Sequence, residues 1–147
     1  MTRLDNAIEL KVPREEVFAY VSNVAAQPEW VKWAKSVEVT GVTPGGVGST
    51  DEMRMQIGPR KENVEGLISE LKEGHFVRRR LTKGMDMTES LSLVNFGAGT
   101  KLAWTVEYTP PMGAMGRMID LLFMVKLFDQ LMKDSLTNLK EILEAKA

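Results

Sequence analysis

The chain shows two hydrophobic periodicities in succession, first that of β-strands and then that of a helix. This order limits the folds that the chain can adopt. Strand-like segments recur at short intervals and are separated by turns that contain glycine or proline. The predicted strands cover residues 35–41, 48–57, 61–72, 75–82, 86–95 and 100–109. Such short intervals leave no room for crossover helices, so consecutive strands are expected to pair antiparallel. After Pro110-Pro111 the period changes to that of a helix.

The two ends of the chain complete this pattern. Residues 3–12 alternate apolar and charged side chains, which predicts a half-buried strand. Pro13 suits the start of a helix, and Asn23 and Pro28 divide the following segment into two short helices. The final segment carries one apolar stripe at helical spacing: Met118, Leu121, Val125, Phe128, Met132, Leu136, Leu139 and Leu143. The sequence therefore predicts an α+β fold in a single domain, residues 1–147.

Composition limits the chemistry that is open to this domain. The 147 residues include no cysteine and one histidine, so disulfides and thiolate sites are excluded and histidine chemistry has one candidate. We therefore expect no metal, no cofactor and no catalytic residues. The net charge of −1 argues against nucleic-acid binding. No apolar run reaches signal-peptide length or the ~20 residues that span a bilayer, so we expect a cytoplasmic protein without stable membrane insertion.

Several local strings occur in an order that is typical of one family. They are Val12-Pro13-Arg14-Glu15-Glu16-Val17-Phe18, Pro28-Glu29-Trp30, Ser36-Val37-Glu38-Val39, Gly46-Val47-Gly48-Ser49, Glu65-Gly66-Leu67-Ile68-Ser69-Glu70 and Gly99-Thr100-Lys101-Leu102. With the terminal helix, the chain resembles the START-related helix-grip superfamily (SRPBCC), in its polyketide cyclase/dehydrase branch. The resemblance implies a curved seven-stranded antiparallel sheet around the last helix, with a cavity between them for an apolar small molecule. Its chemistry stays open, because this fold hosts binders, carriers and cyclases alike.

Strand alternation predicts which side chains line such a cavity. The apolar candidates on the sheet are Met53, Met55, Ile68, Val77, Met87, Leu91 and Trp104, and the helix adds Met118 and Leu122. The chain has ten methionines, whose flexible thioether side chains adapt to guests of varied shape. The alternative interpretation is that each methionine only fills the core.

Three charged residues fall on the same faces by this alternation, namely Glu70, Arg79 and Glu89. A two-residue loop at Glu73-Gly74 places Ile68 opposite Arg79, and a three-residue turn after Thr82 places Glu89 opposite Arg79. Because an isolated buried charge is costly, these groups are expected to pair and to orient the polar end of a ligand. The fork of Arg79 suits a carboxylate or phenolate. A β-bulge would instead turn the charged residues towards solvent.

The leading functional prediction is binding or transport of an apolar small molecule such as a lipid, quinone or polyketide-like ring. One alternative is a polyketide cyclase or aromatase-like enzyme. Another is a protein-interaction factor, since Phe123, Leu127 and Leu131 lie off the main helical stripe. A homodimer contact would cover these residues, and a neighbouring loop, the short helices or a transient membrane contact would do so as well.

Overall fold

Alternating side chains build one antiparallel sheet whose inner face meets a long helix. The computed structural model describes residues 1–110 and 118–146, with only the backbone for residues 118–120. The strands are β1 (Thr2–Leu10), β2 (Ala34–Gly41), β3 (Thr50–Ile57), β4 (Arg60–Lys72), β5 (Phe76–Lys83), β6 (Met87–Phe96) and β7 (Gly99–Tyr108). Their spatial order is β1-β7-β6-β5-β4-β3-β2 in a seven-stranded sheet. Each predicted strand is found, with its limits displaced by at most two residues at either end.

Two short helices follow β1, as the proline and asparagine signals indicate. Helix α1 (Arg14–Val21) begins after Pro13, and Glu15 and Glu16 lie in its first turn, where negative side chains suit the helix dipole. A 3-10 turn (Val24–Ala26) then leads into α2 (Gln27–Trp30). These helices contribute buried apolar side chains to the same core as the sheet.

The long helix α3 (Met118–Ala145) packs its apolar stripe against the inner face of the sheet. Phe128 stacks on Tyr108 of β7, with ring centroids 4.8 Å apart, and tilts against Trp33 at 4.7 Å. At the edge strand, Asn6 donates a hydrogen bond to Asp129 at 2.8 Å. A helix gripped by an antiparallel sheet is the predicted helix-grip architecture, and the prediction is confirmed.

One irregularity in the sheet decides the direction of a predicted site residue. Ile68 pairs with Arg79 and Glu70 pairs with Arg78, so Ser69 is the extra residue of a β-bulge in β4. A bulge inserts one residue and turns the side chains beyond it to the opposite face of the strand. Glu70 is consequently exposed and forms an ion pair with Arg78 at 2.9 Å. The prediction that Glu70 faces the helix is wrong.

Candidate polar binding site under the helices

A buried ion pair spans three strands on the inner face of the sheet. Arg79 of β5 donates from Nε to Asp51 Oδ2 at 3.0 Å and from Nη2 to Oδ1 at 2.5 Å. Both side chains are 3% exposed. This two-pronged geometry matches the guanidinium fork to a carboxylate, which makes the pair specific in direction as well as strong. The fork that was expected to meet a ligand carboxylate is therefore already occupied by a carboxylate of the protein.

The pair exists because one position of β4, the strand between its partners, has no side chain. Asp51 and Gly66 are paired residues of β3 and β4. A β-carbon at residue 66 would lie 2.5 Å from Arg79 Nη2 and 2.6 Å from Nε. The guanidinium thus crosses directly over Gly66 to reach Asp51, and any larger residue would obstruct it.

Glu89 of β6 is the second carboxylate near Arg79. The two residues are directly opposite each other in the β5–β6 pairing, as the predicted turn length requires. Glu89 Oε1 lies 3.8 Å from Arg79 Nη1 and accepts a hydrogen bond from Gln27 Nε2 at 2.6 Å. We call Asp51, Arg79, Glu89 and Gln27 the polar cluster; all four side chains are buried.

Burial dominates the electrostatics of the polar cluster. Removal from water raises the pKa of the Glu89 carboxyl, and the positive charge of Arg79 and the amide of Gln27 only partly oppose this rise. For Arg79, burial disfavours the charge, but the hydrogen bond to Asp51 and the two nearby carboxylates outweigh it and raise the pKa of the guanidinium. Arg79 therefore stays charged, and Glu89 is the member of the cluster whose protonation the site makes easier.

A small void of about 10 Å³ lies beside the polar cluster. Its walls combine the end of α1, the start of α2 and strands β4 to β6. The predicted ligand-binding residues that line it are Ile68, Val77, Arg79, Glu89 and Leu91. Such a volume is near the minimum for one water molecule. The described residues therefore bring this part of the predicted site together around a space of about the size of one water molecule.

The remaining apolar candidates on the sheet are buried in the core beside the void. Met53, Met55 and Met87 are each 2% exposed. Trp104 stacks on Trp33 at 5.1 Å and tilts against Trp30 at 5.2 Å, so the three tryptophans form one contact group. Met53 and Met87 each lie two residues from a carboxylate of the polar cluster on the same strand face. The cluster therefore borders the methionine-lined part of the inner face.

The helical candidates are placed differently from the prediction. Leu122 is 59% exposed, so its predicted place between helix and sheet is wrong. At about 100° per residue, Leu122 lies roughly 120° around the helix from Phe128, which faces the sheet. Met118 begins α3, and its side chain lies outside the described part of the structure. Of the predicted contact residues, Phe123 is 63% exposed, whereas Leu127 and Leu131 are partly buried against the core.

Two members of the polar cluster were missing from the sequence prediction. Asp51 lies in the predicted strand 48–57 and alternates in phase with Met53 and Met55, so strand parity was a sufficient signal for it. Gln27 begins a four-residue helix, and such a short element has no periodicity from which an inward direction follows. Its role depends on tertiary contact between α2 and β6.

Larger depressions are open to solvent rather than enclosed between helix and sheet. An open groove of about 850 Å³ is lined by polar side chains such as Glu38, Glu52 and Arg54, and a second of about 410 Å³ lies beside Phe96 and Lys140.

Among residues 1–110 and 118–146 there is no group of three or more His, Cys, Asp or Glu side chains placed to hold a metal ion. Within the same ranges, no helix combines the length and apolar character that crossing a membrane requires.

Comparison with known proteins agrees with this architecture. A family model described as polyketide cyclase/dehydrase and lipid transport matches residues 1–144. The chain belongs to this family. A search of curated proteins finds no match to the sequence. The family assignment therefore rests on the family model.

Solved structures show the same fold at low sequence identity. A START superfamily protein from Mycobacterium smegmatis is 17% identical, with a TM-score of 0.82 and 99% of each chain covered. The protein TTHA0849 from Thermus thermophilus is 18% identical, with the same TM-score and coverage. The Zhui aromatase/cyclase from a Streptomyces species is 11% identical, with a TM-score of 0.78, covering 97% of this chain and 93% of that one. At these identities the likeness shows a shared fold alone.

Proposed function

We propose that this member of the polyketide cyclase/dehydrase and lipid transport family binds an apolar small molecule between its sheet and α3. The guest lies beneath the first half of α3, against the methionines of β3 and β6. Its polar end reaches the polar cluster. A lipid, a quinone or a polyketide-like ring has the required combination of a large apolar body and a small polar end.

The observation that carries this proposal is a change in burial along one stripe of α3. Phe128, Met132 and Leu139 are fully buried against the sheet. Leu121, Met124 and Val125 lie on the same side of the helix, one to two turns earlier, and are only partly buried. The contact between helix and sheet therefore weakens towards the start of α3, where an apolar guest would bury these side chains.

Two further features support the same location. Methionine side chains have several rotatable bonds, so Met53, Met55 and Met87 are able to repack around a guest at low cost. Each Å² of apolar surface that a guest removes from water contributes about 25 cal/mol to binding. The polar cluster would fix the orientation of the guest, because a buried charged group on an apolar face binds the polar end of the guest and not its apolar body.

A pair of matched helix variants tests the location. Val125→Glu places a charge on the side of α3 that faces the sheet, whereas Phe123→Glu places it on the exposed side. We expect N-phenyl-1-naphthylamine to bind the wild type and Phe123→Glu with similar fluorescence enhancement. Val125→Glu is expected to lose at least about tenfold in affinity, because a carboxylate in the apolar gap must be desolvated.

The outcome of this titration is decisive in both directions. Circular dichroism first establishes that both variants fold. Equal affinity of the wild type and Val125→Glu would show that the probe binds elsewhere, and loss in Phe123→Glu alone would place it on the exposed helix face. Absence of binding to the wild type would favour the protein-interaction alternative. Native mass spectrometry after mild purification complements the titration by detecting a molecule that stays bound to the protein.

A further inference from the structure

Two oxygen atoms of the polar cluster accept no hydrogen bond from the described residues, although the indole N–H of Trp104, which is also unpaired, lies near enough to Glu89 to oppose the rise of its pKa. They are Glu89 Oε2 and Gln27 Oε1, in side chains that are 3% and 2% exposed. Both residues line the small void beside the cluster. A buried acceptor without a donor loses the hydrogen bond that it made to water in the unfolded chain. These atoms therefore mark the place where the site is incomplete.

The other hydrogen-bonding atoms of the cluster are already engaged or directed at Glu89. Arg79 uses Nε and Nη2 for Asp51, and its remaining nitrogen, Nη1, lies nearest to Glu89 Oε1. Gln27 donates its amide nitrogen to the same oxygen. A ligand that enters the void thus meets two acceptor oxygens, Glu89 Oε2 and Gln27 Oε1. The guanidinium of Arg79 beside them is already bound to Asp51.

We propose that the guest of this site is a hydroxylated apolar molecule, an alcohol or phenol, whose O–H donates into the void to Glu89 Oε2, beside Gln27 Oε1. This inference rests on the proposed function and names the class of guest. A hydroxyl group supplies the missing donor and is no larger than the water molecule for which the void has room. A carboxylate end supplies no donor to either oxygen. The chemistry favours a hydroxyl over the carboxylate or phenolate that Arg79 alone suggested.

Isosteric probes separate these possibilities by isothermal titration calorimetry on the wild-type chain. 2-Naphthol carries the donor, 2-methylnaphthalene replaces it with a methyl group, and 2-naphthoate carries a carboxylate. At pH 7 we expect 2-naphthol to bind at least about tenfold more tightly than 2-methylnaphthalene, and 2-naphthoate to bind most weakly. The pair 1-decanol and decanoate repeats the comparison for a chain-shaped guest.

Failure of this inference is distinct from failure of the proposed function. Equal affinities for 2-naphthol and 2-methylnaphthalene, or tightest binding of 2-naphthoate, would overturn the donor preference while leaving a site for apolar guests. If none of the aromatic or linear probes binds, the proposed function falls and the guest class falls with it. Each result is read from the wild type, so it does not depend on a variant that folds poorly.

A variant then locates the preference at the carboxylate. Glu89→Gln replaces one acceptor oxygen with an amide nitrogen that donates, so 2-naphthol should lose most of its advantage over 2-methylnaphthalene. 2-Acetylnaphthalene, which only accepts, should gain at least about threefold. Glu52→Gln changes an exposed carboxylate on the opposite sheet face and should leave the ranking of all probes as in the wild type. An unchanged ranking in folded Glu89→Gln would overturn the assignment.

Discussion

The guanidinium of Arg79 lies directly over the α-carbon of Gly66, on the strand that separates Arg79 from Asp51. The absence of a side chain at residue 66 therefore leaves the space in which Arg79 reaches Asp51. We expect Gly66→Ala to displace Arg79, because the new methyl group would lie 2.5 Å from Nη2. A loss of about 3 kcal/mol or more in the free energy of unfolding is expected, the range for breaking a buried ion pair. In an Arg79→Met background the same change should cost under about 1 kcal/mol; equal costs in a urea double-mutant cycle would contradict this contact.

Removal of one partner of the pair should cost more than removal of the whole charged group. Asp51→Leu leaves Arg79 buried without its carboxylate and should lower the free energy of unfolding by about 3–5 kcal/mol. The combined variant Asp51→Leu, Arg79→Met and Glu89→Leu should recover to within about 1 kcal/mol of the wild type, since buried ionic groups often contribute little net stability. Urea unfolding of both variants checks this order. Additive losses would show that the charges themselves stabilise the fold.

Glu89 should make the stability of the protein depend on pH in a particular direction. Burial raises the pKa of this carboxyl in the folded chain above its value of about 4.3 in the unfolded chain. Below the unfolded pKa both states are protonated and the folded state bears no charge penalty. As pH rises through the folded pKa, the folded state must bury a carboxylate and loses stability, by at most about 1.4 kcal/mol per pH unit.

Glu89→Gln removes this titration while keeping the size of the side chain. The free energy of unfolding of the wild type relative to Glu89→Gln should therefore decrease as pH is raised from 4 to 8 in urea titrations. A constant difference would indicate that Glu89 titrates alike in both states. An increase with pH would reverse the sign and contradict the dominance of burial.

Glu70 should behave as a surface residue. Its ion pair with Arg78 is exposed, with side-chain exposures of 57% and 45%, and exposed pairs contribute about 1 kcal/mol or less. We expect Glu70→Ala to change the free energy of unfolding by less than about 1 kcal/mol and to leave the affinity for N-phenyl-1-naphthylamine unaltered. A marked loss of probe affinity would return Glu70 to the binding site.

A homodimer through Phe123, Leu127 and Leu131 stays a prediction. Phe123 exposes most of its ring, while Leu127 already packs against the chain near Gly58, where a β-carbon would lie 3.0 Å away. Self-association should therefore depend most on Phe123, and Phe123→Ser should shift a dimer to monomer in multi-angle light scattering. A wild type that is monomeric at high concentration would exclude the dimer.

The pairing of Ile68 with Arg79 was predicted correctly through two departures from regular geometry that cancel. The predicted hairpin loop had two residues, whereas Lys72 pairs with Phe76 and leaves three outside the ladder. The bulge at Ser69 then absorbs the additional residue, which restores Ile68 opposite Arg79 but turns Glu70 outwards. Alternation along a strand is a local rule, so it fails where a bulge intervenes and holds for Glu89, whose pairing from Phe76 to Arg80 is regular.

The fold itself was accessible from the sequence because strand alternation, turn residues and the helical stripe all indicate one architecture. Three of the four members of the polar cluster were accessible from the sequence. Arg79 and Glu89 stand out as charges on apolar faces, and Asp51 follows from the same alternation. Gln27 enters from a separate helix, and no local pattern reports a contact between segments so far apart in the chain.

The placement of β1 beside β7 has a consequence for how the chain reaches its native state. The first strand pairs with the last one, so β1 has no neighbour in the sheet until nearly the whole chain is available. Contacts of such high sequence separation slow folding, because a large loop must close before they form. During synthesis on a ribosome, strands β2 to β6 emerge before β7, so β6 has an unpaired edge until β7 is available. A chaperone that binds the chain in this interval would protect it from aggregation.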